Sequence, residues 1–96
     1  MAYRFRAELW RYEGDAAWHF VTLPSGVSDD ISDRPDTARR GFGSVRVNAT
    51  IGSTTWATSI FPDSKAGTFL LPVKTQVRDA ESIDDGDVVD VTLDLA

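Results

Sequence analysis

Lys74 and Arg78 stand four residues apart, which on a helix sets an ammonium and a guanidinium side by side on one face. Two like charges so placed cost about 0.2–0.5 kcal/mol unless something negative lies against them. A bound carboxylate or phosphate would supply that charge, with the guanidinium offering a bidentate fork. Asp79, Glu81 or the Asp84-Asp85-Gly86-Asp87 turn would supply it without a ligand. The aromatics large enough to line a pocket beside the pair are Trp18, Trp56 and Phe42, so the expected ligand site is where Lys74 and Arg78 meet these three. In a domain this small, the two tryptophans are also natural core residues.

Other residues carry weaker signals. Arg39-Arg40-Gly41-Phe42-Gly43 joins two cations to an aromatic between glycines, a composition that closes over a ligand or simply makes a solvated loop. Trp10 falls on the outward side of its segment, where a tryptophan often marks a contact surface. His19, the one histidine, titrates naturally near neutrality, yet between Trp18 and Phe20 in a strand it reads as structural. The Asp84-Asp87 run has neither the regular acidic spacing nor the closing glutamate of a calcium loop, and reads as a turn. Asp29, Asp30, Asp33 and Asp36 could face a metal or a sugar, but near a helix start they fit capping and solubility better. With no phosphate-binding glycine loop, nucleophile elbow or His-Glu metal motif, the expectation is a protein without catalytic residues, metal or cofactor.

The 96 residues allow one domain, spanning 1–96, with a thin core and a net stability of about 5–10 kcal/mol. The absence of cysteine excludes disulfides, thiolate zinc sites and thiol nucleophiles. Seven arginines balance seven carboxylates over residues 1–48, whereas three cations face eight carboxylates over 49–96, so the net charge of −5 sits in the second half. That argues against nucleic acid, which needs a basic face. Met1-Ala2-Tyr3-Arg4-Phe5-Arg6 is not the apolar run of a signal peptide, and no stretch reaches the ~20 apolar residues of a membrane span, so the cytoplasm is the expected compartment.

The elements that must position these side chains are mostly strands. Tyr3, Phe5, Ala7 and Leu9 alternate with Arg4, Arg6, Glu8 and Trp10, then Glu13-Gly14-Asp15 turns the chain into an aromatic strand over Trp18 to Leu23 that stops at Pro24. A short helix is expected within the polar stretch that follows, N-capped by Ser28, with Asp29 and Asp30 against its dipole, and ended by Arg34-Pro35. Val45, Val47, Ala49 and Ile51 share one face of the next strand. Gly52-Ser53 fits a type II′ turn, and Thr54 to Phe61 returns with Trp56, Thr58 and Ile60 on one face, closed by Pro62. Thr68 to Pro72 makes a short strand. Val73, Val77 and Ala80 then dock a helix from about Val73 to Ser82. Finally Val89, Val91, Leu93 and Leu95 turn inward on a strand whose outer face carries Asp90 and Asp94. The fold expected is mainly β: a small closed or double-split barrel of about six mostly antiparallel strands with two short helices.

The order of these pieces resembles the DUF1905 family of bacterial and archaeal domains of unknown function. The resemblance rests on Phe5-Arg6-Ala7, on Trp18-His19-Phe20-Val21-Thr22-Leu23-Pro24, and on Gly52 leading through Trp56 to Ser59-Ile60-Phe61-Pro62. Further on it rests on Leu70-Leu71-Pro72-Val73-Lys74, Arg78 and Asp84-Asp85-Gly86-Asp87-Val88-Val89-Asp90-Val91. It implies a double-split β-barrel, the class that includes swapped-hairpin transcription regulators and antitoxins, and it implies no activity. Their DNA binding does not carry over, because this chain lacks a basic dimer face.

The function expected is a small monomeric binding or accessory module for a small anionic ligand or a protein partner. A nucleic-acid-associated regulator is the alternative, and a weak enzyme with His19 as its acid or base is a third reading.

Overall fold

The computed structural model describes residues 2–14, 18–34 and 43–96. Phe42 and the adjoining Arg39-Arg40-Gly41, together with Asp36, lie outside the described residues.

Six strands and two helices follow in the order β1 (Ala2–Arg11), β2 (His19–Thr22), α1 (Ser25–Asp33), β3 (Val45–Ile51), β4 (Thr54–Asp63), β5 (Thr68–Pro72), α2 (Thr75–Glu81) and β6 (Val88–Leu95). The strands close into a barrel in the order β1-β2-β5-β4-β3-β6, and every neighbouring pair is antiparallel. Closure follows from β6, which pairs with β1 from Glu8↔Val88 to Ala2↔Asp94 and with β3 from Ile51↔Val91 to Val47↔Leu95. The alternating residues Leu9, Val21, Val47, Ile60, Leu71, Val91 and Leu93 fill the interior. Each such side chain contributes about 1.5–3 kcal/mol by leaving water. Trp56, opposite Ala49, points into this core.

The helices occupy opposite ends of the barrel, because α1 follows β2, α2 follows β5, and those two strands run antiparallel. At the α1 end, Ile31 is fully buried, and Thr68 Oγ1 donates to the Leu23 carbonyl at 2.9 Å. The Tyr3 hydroxyl donates to the Asp30 carboxylate, and desolvation, aided by that carboxylate, raises the phenol above its ordinary pKa. Among the described residues, no helix is long and apolar enough to cross a membrane.

Several local expectations need correction. Helix α1 begins at Ser25 with Pro24 as its N-cap residue, so Ser28 lies inside the helix, buried, with its N–H bonded to the Pro24 carbonyl. The helix thus starts four residues earlier than a Ser28 cap would start it. Asp29 and Asp30 consequently fall beyond the first turn. Arg34, extended at ψ 124°, does end the helix before proline. Strand β4 runs through Pro62, which pairs with Phe69, to Asp63 instead of closing at the proline. Helix α2 starts at Thr75, because Val73 and Lys74 continue the extended course of β5; Val73 and Val77 are buried but Ala80 is exposed.

The Gly52-Ser53 turn forms with φ of +60° at Gly52, while Ser53 stays out of the left-handed region, as a type II′ turn requires. Over this glycine lies the Glu81 carboxylate, which accepts from Thr54 Oγ1 at 2.6 Å and Ser53 Oγ at 3.3 Å and so clasps the end of α2 to the β3–β4 hairpin. A Cβ at position 52 would stand 1.8 Å from Glu81 Oε1. Gly52→Ala should therefore cost about 2–4 kcal/mol, from left-handed strain and displacement of the clasp together. In a Glu81→Ala background the loss should shrink to the backbone part, about 1–2 kcal/mol. Urea unfolding of the four chains in this cycle measures both, and an undiminished loss would exclude the clasp as a cause.

Candidate functional site

The barrel end covered by α2 gathers most of the sequence candidates. Strand alternation there turns His19 and Val21 inward and Trp18 and Phe20 outward. Phe20 pairs with Trp10 on one side and Pro72 on the other. One residue further, the Tyr12 N–H donates to the Trp18 carbonyl at 2.8 Å, and the Val73 N–H donates to the His19 carbonyl at 2.9 Å. Trp10, Phe20 and Pro72 thus form one row on the outer wall, Tyr12 is bonded to Trp18 one step beyond it, and the exposed Lys74 follows Val73 directly.

These aromatics form a continuous ledge. Phe20 packs against Trp10 at 5.3 Å between ring centroids, against Trp18 at 6.1 Å with planes only 16° apart, and edge-on against Tyr12 at 6.2 Å. Trp10 is half-buried because its indole N–H donates to Thr22 Oγ1 at 2.9 Å, which lays the ring along the wall. Trp18 and Tyr12 remain 55 % and 52 % exposed. Beside the ledge, a depression of about 350 Å³ is bordered by Glu8, Trp10, Tyr12 and Asp85.

Lys74 is exposed at the head of α2. Arg78 folds back over that first turn, its Nε donating to the Val73 carbonyl at 3.3 Å and Nη2 to Thr75 Oγ1 at 2.9 Å. Among the described residues, neither cation forms an ion pair with a carboxylate. Glu81 is committed to the hairpin instead, and Asp84 is among the groups on which Arg78 acts electrostatically.

Below this surface the Asp84-Asp87 turn is pinned to β1, with the Gly86 N–H donating to the Leu9 carbonyl at 2.7 Å and the Leu9 N–H to the Asp87 carbonyl at 2.8 Å. Gly86 takes a φ of +95°, a backbone conformation that residues with a side chain rarely adopt. The Asp85 N–H donates to Asp84 Oδ1 at 2.8 Å and holds the Asp84 carboxyl below the usual carboxylate range, with attraction from His19 and Arg78 adding to it.

Of the five residues expected to meet, the structure thus brings Trp18, Lys74 and Arg78 to one end of the barrel, on its outside. Trp56 lies in the interior, on the other side of the barrel wall, and Phe42 is outside the described residues. Sequence spacing missed the ledge partners Tyr12 and Phe20. The signal available for them was the alternation that makes Trp10, Tyr12, Trp18 and Phe20 outward residues of one hairpin.

Across its length, the chain matches a family model described as a domain of unknown function, DUF1905, over residues 5–93. No curated protein matches it. Within the ledge, Trp10→Phe should cost about 1–2 kcal/mol through the lost indole bond and contact area, whereas Trp18→Ala should stay within about 0.5 kcal/mol. Thermal unfolding followed by circular dichroism checks the contrast, and equal losses would contradict the different burial of the two rings.

Proposed function

The chain belongs to the DUF1905 family, a domain of unknown function, and from its own surface we propose that it is a small non-catalytic binding module, acting as a monomer, for anionic ligands that carry a flat ring. The observation that supports this reading is the bond from the Val73 N–H to the His19 carbonyl, which favours an exposed Lys74 beside Trp18 and Tyr12. A ring stacked on Trp18 would extend the stack already made with Phe20, while the carboxylate or phosphate of the same ligand met the Lys74 ammonium. Arg78, one helical turn on, adds positive potential from a guanidinium fixed by its own turn. A ligand making only these contacts would gain about 4 kcal/mol, a dissociation constant on the order of 1 mM, and contacts in the neighbouring depression would tighten it. The acidic balance of the chain supports a small anion steered by local cations over a polyanion needing an extended basic face.

Titration with benzoate, an aromatic mononucleotide and inorganic phosphate at low salt, followed by tryptophan fluorescence and calorimetry, tests the reading. The two ring-bearing anions should bind more tightly than phosphate, Lys74→Gln should weaken them about tenfold, roughly 1.4 kcal/mol, and Lys74→Gln with Arg78→Gln should abolish binding. Affinity unchanged in the double variant would overturn the site. Silence from all three probes would overturn the small-ligand reading in favour of a protein partner at the same aromatic ledge. Dimerisation with steeply salt-dependent binding to duplex DNA would favour a nucleic-acid-associated regulator.

A further inference from the structure

His19 is 95 % buried in the barrel wall, and its Nε2 reaches the turn between α2 and β6, 3.5 Å from Asp84 Oδ1 and 3.9 Å from Asp85 Oδ1. One donor atom from each of the three residues lies within 4.8 Å of the other two. Metal–ligand bonds of about 2.0–2.2 Å set neighbouring ligand atoms about 3.0–3.5 Å apart in tetrahedral or octahedral geometry. The imidazole and Asp84 already stand at that spacing, and the exposed Asp85 carboxylate lies 3.9 Å from the imidazole.

We propose that His19, Asp84 and Asp85 form a binding site for one divalent transition-metal ion of the zinc, cobalt or nickel type. The donors come from two elements whose relative position is fixed. His19 is held by the pairing of β2 with β1 and β5, and the turn is held by its two backbone bonds to Leu9 and by Asp87 Oδ2, which accepts from the Asp84 N–H at 2.9 Å. A neutral imidazole with two carboxylates balances a dication, and the nitrogen donor favours these ions over magnesium or calcium, which prefer oxygen alone. The carboxylates are exposed at 76 % and 54 %, so an ion has a path in, and water fills its remaining positions.

The test uses tag-free protein stripped with chelator and titrated with Co²⁺, read by visible absorption, and with Zn²⁺ and Mg²⁺, read by calorimetry. The expected result is one Co²⁺ per chain with ligand-field absorption, competition by Zn²⁺, at least tenfold weaker binding of Mg²⁺, and a metal-dependent rise in Tm. Because His19→Gln alters a buried position, the exposed variants Asp84→Asn and Asp85→Asn carry the decision. Each should weaken Co²⁺ at least tenfold while folding as the parent does. Unchanged Co²⁺ affinity in both variants, or no saturable binding up to millimolar metal, would overturn the site and leave a structural histidine–aspartate contact. Neither result depends on the aromatic ledge, whose ligands are tested without metal.

Discussion

The closed ring of backbone hydrogen bonds governs everything else in this protein. A six-stranded sheet left open would expose two edges, each a row of unpaired amides and carbonyls ready to pair with another chain. Strand β6 prevents this by lying between β1 and β3, and in doing so it folds the apolar faces of all six strands around one interior. With no disulfide available, that interior and its ring of bonds hold the domain together. The outward aspartates of β6 follow from the same arrangement, because a closed wall needs solvated side chains outside; Asp90 meets Arg6 across the β1–β6 pair at 3.1 Å.

Closure also sets where chemistry can occur. Every wall residue faces either the packed interior or solvent, so a recognition surface must lie on the outside or at an end. At the α2 end both happen together: alternate residues of one short strand send Trp18 and Phe20 to the outer ledge and His19 toward the acidic turn. Lys74 reaches the same end of the barrel because the extended course of β5 continues past Pro72 before α2 begins.

Much of this architecture is written in alternation. Leu9, Val45 to Ile51 and Val89 to Leu93 fall inward as a period of two demands, and Gly52-Ser53 makes the turn that its glycine-first order specifies. The failures arise where one residue serves two patterns. Val73 fits a helical spacing with Val77, yet it is the last inward residue of an extended segment, which is why Ala80, the next in that spacing, is exposed. Ser28 has the side chain of a cap, but Pro24 starts the helix first. Trp18 and Trp56 look alike in sequence, and only strand pairing across the barrel separates an outer ledge from a core. The approach of His19 to Asp84 and Asp85 joins positions 65 and 66 residues apart, a contact that local spacing does not encode.

The β3–β4 hairpin has a further consequence when the ring is viewed through chain entropy. Its innermost pair, Ile51↔Thr54, encloses only Gly52 and Ser53, whereas the pair Glu8↔Val88 that helps seal the barrel encloses most of the chain. Under the logarithmic dependence of closure entropy on loop length, the difference between these two contacts is on the order of 3 kcal/mol. The hairpin that α2 clasps through Glu81 is thus the least costly contact in the wall to form, and the seam between β1 and β6 is among the most costly. The barrel is completed by a contact that would be too expensive to make first.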